Sequence, residues 1–128
     1  VLSEQFSGNT YKKGMSVRAR IQREMASLFE KYDLVLCPTC PTASFRLGEK
    51  VDNPLAMYLS DLFTTFVNLA RIPSISVPAG YTSKENTAAS SMPVGLQFVG
   101  KMFDEVKLLE IAQTWENDHK LCGVPVKQ

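Results

Sequence analysis

The chain has 128 residues, 45% hydrophobic and 21% charged, with a formal net charge of +1. That length supports one domain around one core, and the apolar content excludes disorder for most of it. Neither sign of charge is in excess, which excludes a nucleic-acid footprint or a membrane-surface field carried by charge alone.

Val1 to Asn9 has no clear period, and Gly8-Asn9 is a turn signal. From about Thr10 to Tyr32, Ile21, Met25, Leu28, Phe29 and Tyr32 recur at helical spacing and predict a helix with one buried face. Its other face carries Lys12, Lys13, Arg18, Arg20 and Arg23. Glu24 and Glu30 follow, so a solvated face explains these charges better than phosphate contact. Leu34-Val35-Leu36, bounded by Asp33 and Pro38, reads as a buried strand. Pro38 and Pro41 hold the next residues extended. Phe45 to Asp52 is a polar loop containing Gly48.

Asp52-Asn53-Pro54 is a helix start, a capping residue followed by Pro where its missing N–H costs nothing. One buried helix is expected from about Leu55 to Ala70, stopping before Pro73. It is too short to span a bilayer and contains Ser60, Asp61, Thr64, Thr65 and Asn68. Ile75-Ser76-Val77 predicts a strand, Tyr81 to Met92 a polar, mobile loop, and Val94 to Val99 a strand that pairs with the previous one as a long-looped hairpin. Asp104 is expected to cap a last helix, with Leu108, Leu109, Ala112 and Trp115 inward. The order α-β-α-β-β-α gives an α/β layered fold, and so few strands suggest one flank of a larger sheet.

Asp61 is the only charged side chain between Leu55 and Ala70, among Met57, Tyr58, Leu59, Leu62, Phe63 and Phe66. A carboxylate buried there is either paired or protonated. One reading is a pocket carboxylate that receives a cationic group of a ligand; the other is an ion pair with an Arg or a loop cap. Three cysteines, Cys37, Cys40 and Cys122, make no disulfide framework and point to a reducing, cytosolic-type compartment. With His119 they form a conceivable zinc set, but the gap between the halves is long for a compact zinc module, and unrelated cysteines are the simpler reading. A redox role for Cys37-Pro-Thr-Cys40 is disfavoured because Pro41 continues an extended segment where a helix should open. His119 is the only histidine, Ser90-Ser91 lacks flanking glycines, and no phosphate-cradling loop exists. On its own residues the chain is not a complete enzyme.

Three stretches are distinctive: Leu47 to Thr65 with Met57-Tyr58-Leu59-Ser60-Asp61-Leu62, Val67 to Pro78, and Pro93 to Glu105 with Gly95-Leu96-Gln97-Phe98. Tyr11-Lys12-Lys13, Val17-Arg18 and Tyr32 to Thr42 follow in order and spacing. Together they resemble the C-terminal part of the amidase signature family, over roughly Val1 to Glu116. Within it they look most like the A subunits of glutamyl-tRNA(Gln) amidotransferases.

The resemblance implies a mixed β-sheet flanked by helices, with residues 1–128 as the C-terminal portion of one amidase domain. It implies a Ser–cis-Ser–Lys triad that lies upstream and is not in this chain, so that the isolated chain is inactive. It implies glutamine hydrolysis, with the ammonia passed on to convert Glu-tRNA(Gln) to Gln-tRNA(Gln). Subunits B and C are the implied partners, ATP and Mg are used by one of those partners, and no cofactor, metal or catalytic residue is expected in this chain. The setting is the cytoplasm or an organelle. By the same resemblance Asp61 binds the α-ammonium of glutamine, while the Arg that holds its carboxylate precedes Val1. The start at Val1 instead of Met then reads as a processed chain or a piece of a longer one.

The chain departs from the family at Arg71, where Gly is usual, at Phe66, where Pro is usual, and at Gln5-Phe6-Ser7, where Gly-Tyr-Tyr is usual. Gly after a helix often takes positive φ, so Arg71 is the sharpest departure. Cys37 and Cys40 stand where the family often has small hydroxyl residues, which counts against a required zinc site. Rival readings are the same portion of another amidase, a non-catalytic binding module derived from one, and a zinc module.

Overall fold

A computed structural model describes residues 8–45, 48, 53–82 and 92–121. In chain order its elements are helix α1 (Gly8–Phe29), strand β1 (Val35–Pro38), helices α2 (Pro54–Ser60) and α3 (Leu62–Ala70), strands β2 (Ser74–Tyr81) and β3 (Pro93–Val99), and helix α4 (Glu105–His119). The α/β layered class is therefore observed. The segments Val1–Ser7 and Cys122–Gln128, the departure at Gln5-Phe6-Ser7, most of the Phe45–Asp52 loop, and Ser90-Ser91 with most of the Tyr81–Met92 loop lie outside the described residues.

The three strands form one antiparallel sheet in the order β1-β3-β2. The expected hairpin is β2 with β3. Alternation on β3 sorts its side chains to two covered faces. Leu96 and Phe98, with Ile75 and Val77 of β2, pack against Leu108, Ala112 and Trp115 of α4. Val99, with Val35 and Cys37 of β1, packs against Phe29 of α1 and Val67 of α3. The result is three layers, α4 over one face and α1 with α3 over the other. Prolines sit where a sheet tolerates them: Pro38 and Pro78 on outer strands and Pro93 as the first residue of the central one. The β2–β3 register shifts between Pro78 and Gly80, and Gly80 takes φ 124°, a bulge conformation that a side chain would strain.

Asn53 performs the expected cap: its Oδ1 accepts from the N–H of Ala56 at 3.1 Å, with Pro54 opening α2. Several expectations are corrected. The helix expected over Leu55–Ala70 is two helices that meet at Asp61. Gly8-Asn9 opens α1 and makes no turn, because Gly at a helix start gives up little. Tyr32 is exposed, since α1 has ended at Phe29 and its period no longer applies. Leu109 is exposed to the side of the stripe that Leu108, Ala112 and Trp115 turn to the sheet. Asp104 caps α4 through its backbone alone: its carbonyl accepts from Leu108 at 3.2 Å, and φ −109°, ψ 34° keep its side chain from the turn.

Candidate functional site

Asp61 forms the junction between α2 and α3 with φ −95° and ψ 11°, the sparsely allowed bridge region. Its N–H donates to the Tyr58 carbonyl at 3.2 Å, a tight three-residue turn. Its carbonyl accepts the N–H groups of Thr64 and Thr65 at 3.1 and 3.0 Å and both threonine hydroxyls at 3.2 and 2.9 Å. The local sequence therefore builds the kink: two adjacent threonines compete for one carbonyl and hold it at the break. Every backbone group of Asp61 is engaged, while its carboxylate has no hydrogen bond or ion pair with a described residue.

The expected burial of Asp61 is thus overturned, and among the described residues it neither pairs with an Arg nor caps a loop with its side chain. Asp61 is exposed, and the ridge beside it is exposed too: Leu55, Met57, Leu59 and Leu62 face solvent, and Tyr58 is 78% exposed. An apolar helix of this kind reads as buried in sequence because its pattern has no polar side. Nothing among the described residues covers it.

Beside this junction lies an open cleft of about 510 Å³ at the end of the sheet where β1 stops and β3 starts. Ser60, the residue before Asp61, lines it, while Asp61 itself is not part of the lining. The floor is Gly95 between Thr39 and Ser76, whose hydroxyl oxygens lie 2.6 Å apart. A Cβ on Gly95 would stand 2.7 Å from Thr39 Oγ1 and 3.0 Å from Ser76 Oγ, so glycine is needed for that approach. The lining is mostly apolar, with hydroxyls at its base and Cys40 on its wall.

Gln97 is a polar residue that the sequence pattern does not single out. It lies on the central strand between Cys37 and Ser76 and is only 3% exposed. Its Nε2 donates to the Phe63 carbonyl of α3 at 2.8 Å and to Cys37 Sγ at 3.4 Å. A signal is present all the same, since Gly95, Gln97 and Val99 alternate with Val94, Leu96 and Phe98. A strand apolar on both faces is covered on both, so its one polar side chain needs an internal partner.

The remaining candidates do not converge. Burial pushes the Cys37 thiol up, with the Gln97 hydrogen bond opposing. Cys40 is exposed. The His119 ring stacks on Trp115 with centroids 3.8 Å apart, and its Nδ1 lies 2.9 Å from the Trp115 carbonyl. Cys122 lies outside the described residues, and no group of three or more potential metal ligands forms among the rest. The basic face of α1 is solvated: Arg20 pairs with Glu24 at 2.7 Å, while Arg18 and Gln22 donate to the Leu69 carbonyl at the end of α3. No described helix is long and apolar enough to cross a membrane.

The amidase family profile matches residues 1–109. The chain is 54% identical over 119 residues to the glutamyl-tRNA(Gln) amidotransferase A subunit of Treponema denticola, covering 93% of this chain and 23% of that one. It is 45% identical over 123 residues to the Staphylococcus aureus (strain Newman) protein of the same name, covering 96% and 24%. The crystal structure of the Thermotoga maritima glutamyl-tRNA(Gln) amidotransferase A subunit superposes with a TM-score of 0.76 at 37% identity, over 91% of this chain and 24% of that one. Kluyveromyces lactis allophanate hydrolase, as its S177A variant, gives 0.73 at 27% identity, over 90% and 18%. The chain thus spans about a quarter or less of the length of these relatives.

Proposed function

This chain belongs to the amidase family, and on that premise we propose that it is the C-terminal portion of the glutamine-hydrolysing A subunit of a glutamyl-tRNA(Gln) amidotransferase. The observation that carries the proposal is Asp61, an exposed carboxylate without a partner among the described residues, held in a bridge conformation next in sequence to Ser60 of the cleft. Such backbone is found at functional sites, where a side chain must be aimed.

In this reading the Asp61 carboxylate accepts charge-assisted hydrogen bonds from the α-ammonium of glutamine. The hydroxyl-floored cleft beside it receives the rest of the substrate. Residues outside this chain supply the serine nucleophile. Its hydroxyl attacks the side-chain amide carbon, ammonia leaves, and water then opens the acyl-enzyme to glutamate. Subunits B and C complete the assembly, with ATP and Mg held by one of them, in a reducing cytoplasmic or organellar setting. The apolar ridge of α2 is then covered by the preceding part of the same domain, which explains why its pattern reads as buried. The isolated chain releases no ammonia from glutamine.

The test is steady-state glutaminase kinetics of the natural polypeptide with Asp61→Asn. Loss of the charge that meets the substrate ammonium is expected to raise the glutamine KM by about 100-fold, with kcat much less affected. An unchanged KM overturns the assignment. The likeness to allophanate hydrolase keeps a second amide substrate in view, and preference for another primary amide over glutamine would favour it.

A further inference from the structure

We infer that Gln97 is a positioning residue for Asp61, setting the orientation of its carboxylate from the centre of the sheet; this rests on the Asp61 reading above. Gln97 reaches across the interface between layers and donates to the Phe63 carbonyl at 2.8 Å. Phe63 is the second residue of α3, so this bond lands on the first turn after the Asp61 kink. A carbonyl only accepts, which fixes the amide with its nitrogen toward the helix. The same nitrogen meets Cys37 Sγ at 3.4 Å, so the side chain is held from two sides.

The other end of α3 is tied separately, by Arg18 and Gln22 on the Leu69 carbonyl. Those bonds lie eight residues from Asp61, and the apolar packing of Phe66 and Val67 in the cluster with Val99 begins five residues from it, so neither supplies a hydrogen bond to the first turn of α3. The kink itself is held by backbone and threonine contacts inside α2 and α3, which carry no information about the sheet. Gln97 supplies that link. Among the described residues it is also the one buried polar side chain, and a buried amide is retained where its hydrogen bonds specify a unique arrangement.

The experiment compares glutamine with glutaramate, which is glutamine without its α-ammonium, in the natural-length polypeptide. Gln97→Met keeps the volume and removes the donor. It is expected to raise the glutamine KM by about tenfold while leaving kcat/KM for glutaramate unchanged, since a displaced carboxylate matters only where an ammonium must be met. In an Asp61→Asn background, Gln97→Met should add less than about twofold, because both changes act on one contact.

Equal losses on both substrates, or a full additional loss in the double variant, would show a general packing role and overturn the inference. So would an unchanged glutamine KM beside an impaired Asp61→Asn. If Asp61→Asn itself keeps the preference for glutamine over glutaramate, the Asp61 reading fails and the inference fails with it. Should Gln97→Met not fold, Gln97→Asn keeps the amide but withdraws it by one methylene, and the same selective shift is expected.

Discussion

Arg71 closes α3 with φ 61° and ψ 43°, the left-handed conformation that glycine adopts without cost. Its N–H donates to the Val67 carbonyl, and Ile72 N–H reaches the same carbonyl at 3.4 Å, so the turn is obligatory and the residue is strained in it. Arg71→Gly is expected to stabilise the protein by about 1 kcal/mol, seen as a raised denaturant midpoint with an unchanged slope. A lowered midpoint would mean that the Arg71 side chain contributes more than its backbone costs. The cysteines make a second case. Cys40 is exposed, whereas burial raises the Cys37 thiol above its ordinary 9.0. Cys37 therefore stays protonated in the folded state at a pH where an unfolded thiol ionises. Any stability it carries is present below the ordinary value and lost as the pH rises through the raised one. Peptide mass mapping after brief alkylation at pH 8 should find Cys40 modified well before Cys37. Equal rates would contradict the packing of β1.

At the scale of elements, the parts of the fold that were legible in sequence are those set by local chemistry. Asn53-Pro54 opens a helix because the cap needs only its own turn, and the hairpin follows from two alternating runs about one polar loop. The kink at Asp61 was not legible, because neither Pro nor Gly marks it and the threonine hydroxyls that hold it are common in helices. Gln97 was missed for a different reason: the alternation on its strand signals that both faces are covered, but the partner that makes a buried amide tolerable, the Phe63 carbonyl, lies on a helix 34 residues away in sequence. Trp115 shows how the opposite face is held. Its Nε1 donates to the Pro78 carbonyl at 2.9 Å, and its ring meets Phe98 edge-on at 5.8 Å. Trp115→Phe keeps an aromatic ring and loses the hydrogen bond. It should cost about 1–3 kcal/mol by denaturant unfolding, because the Pro78 carbonyl is left unpaired. A neutral result would place that carbonyl in contact with water.

At the scale of the molecule, two helical layers cover the sheet, yet the ridge of Leu55, Met57, Tyr58 and Leu59 on α2 and Leu62 at the start of α3 stays exposed, as do Met102 and Phe103 after β3. Exposed apolar area of this extent marks a surface that another body covers. In sequence the same ridge reads as a buried helix with a lone carboxylate. The carboxylate was legible and its surroundings were not, because burial is a property of the assembled fold and the chain spans only 23% of its Treponema denticola relative. The proposed function requires this chain to work as part of a longer glutamine-hydrolysing polypeptide. Ammonia release from glutamine, by the polypeptide captured from source cells with an antibody to this chain, decides the matter. The expected result is a polypeptide several times larger than 14.2 kDa that releases ammonia from glutamine. A captured polypeptide of this chain's own size, or a longer one that leaves glutamine intact, would contradict it.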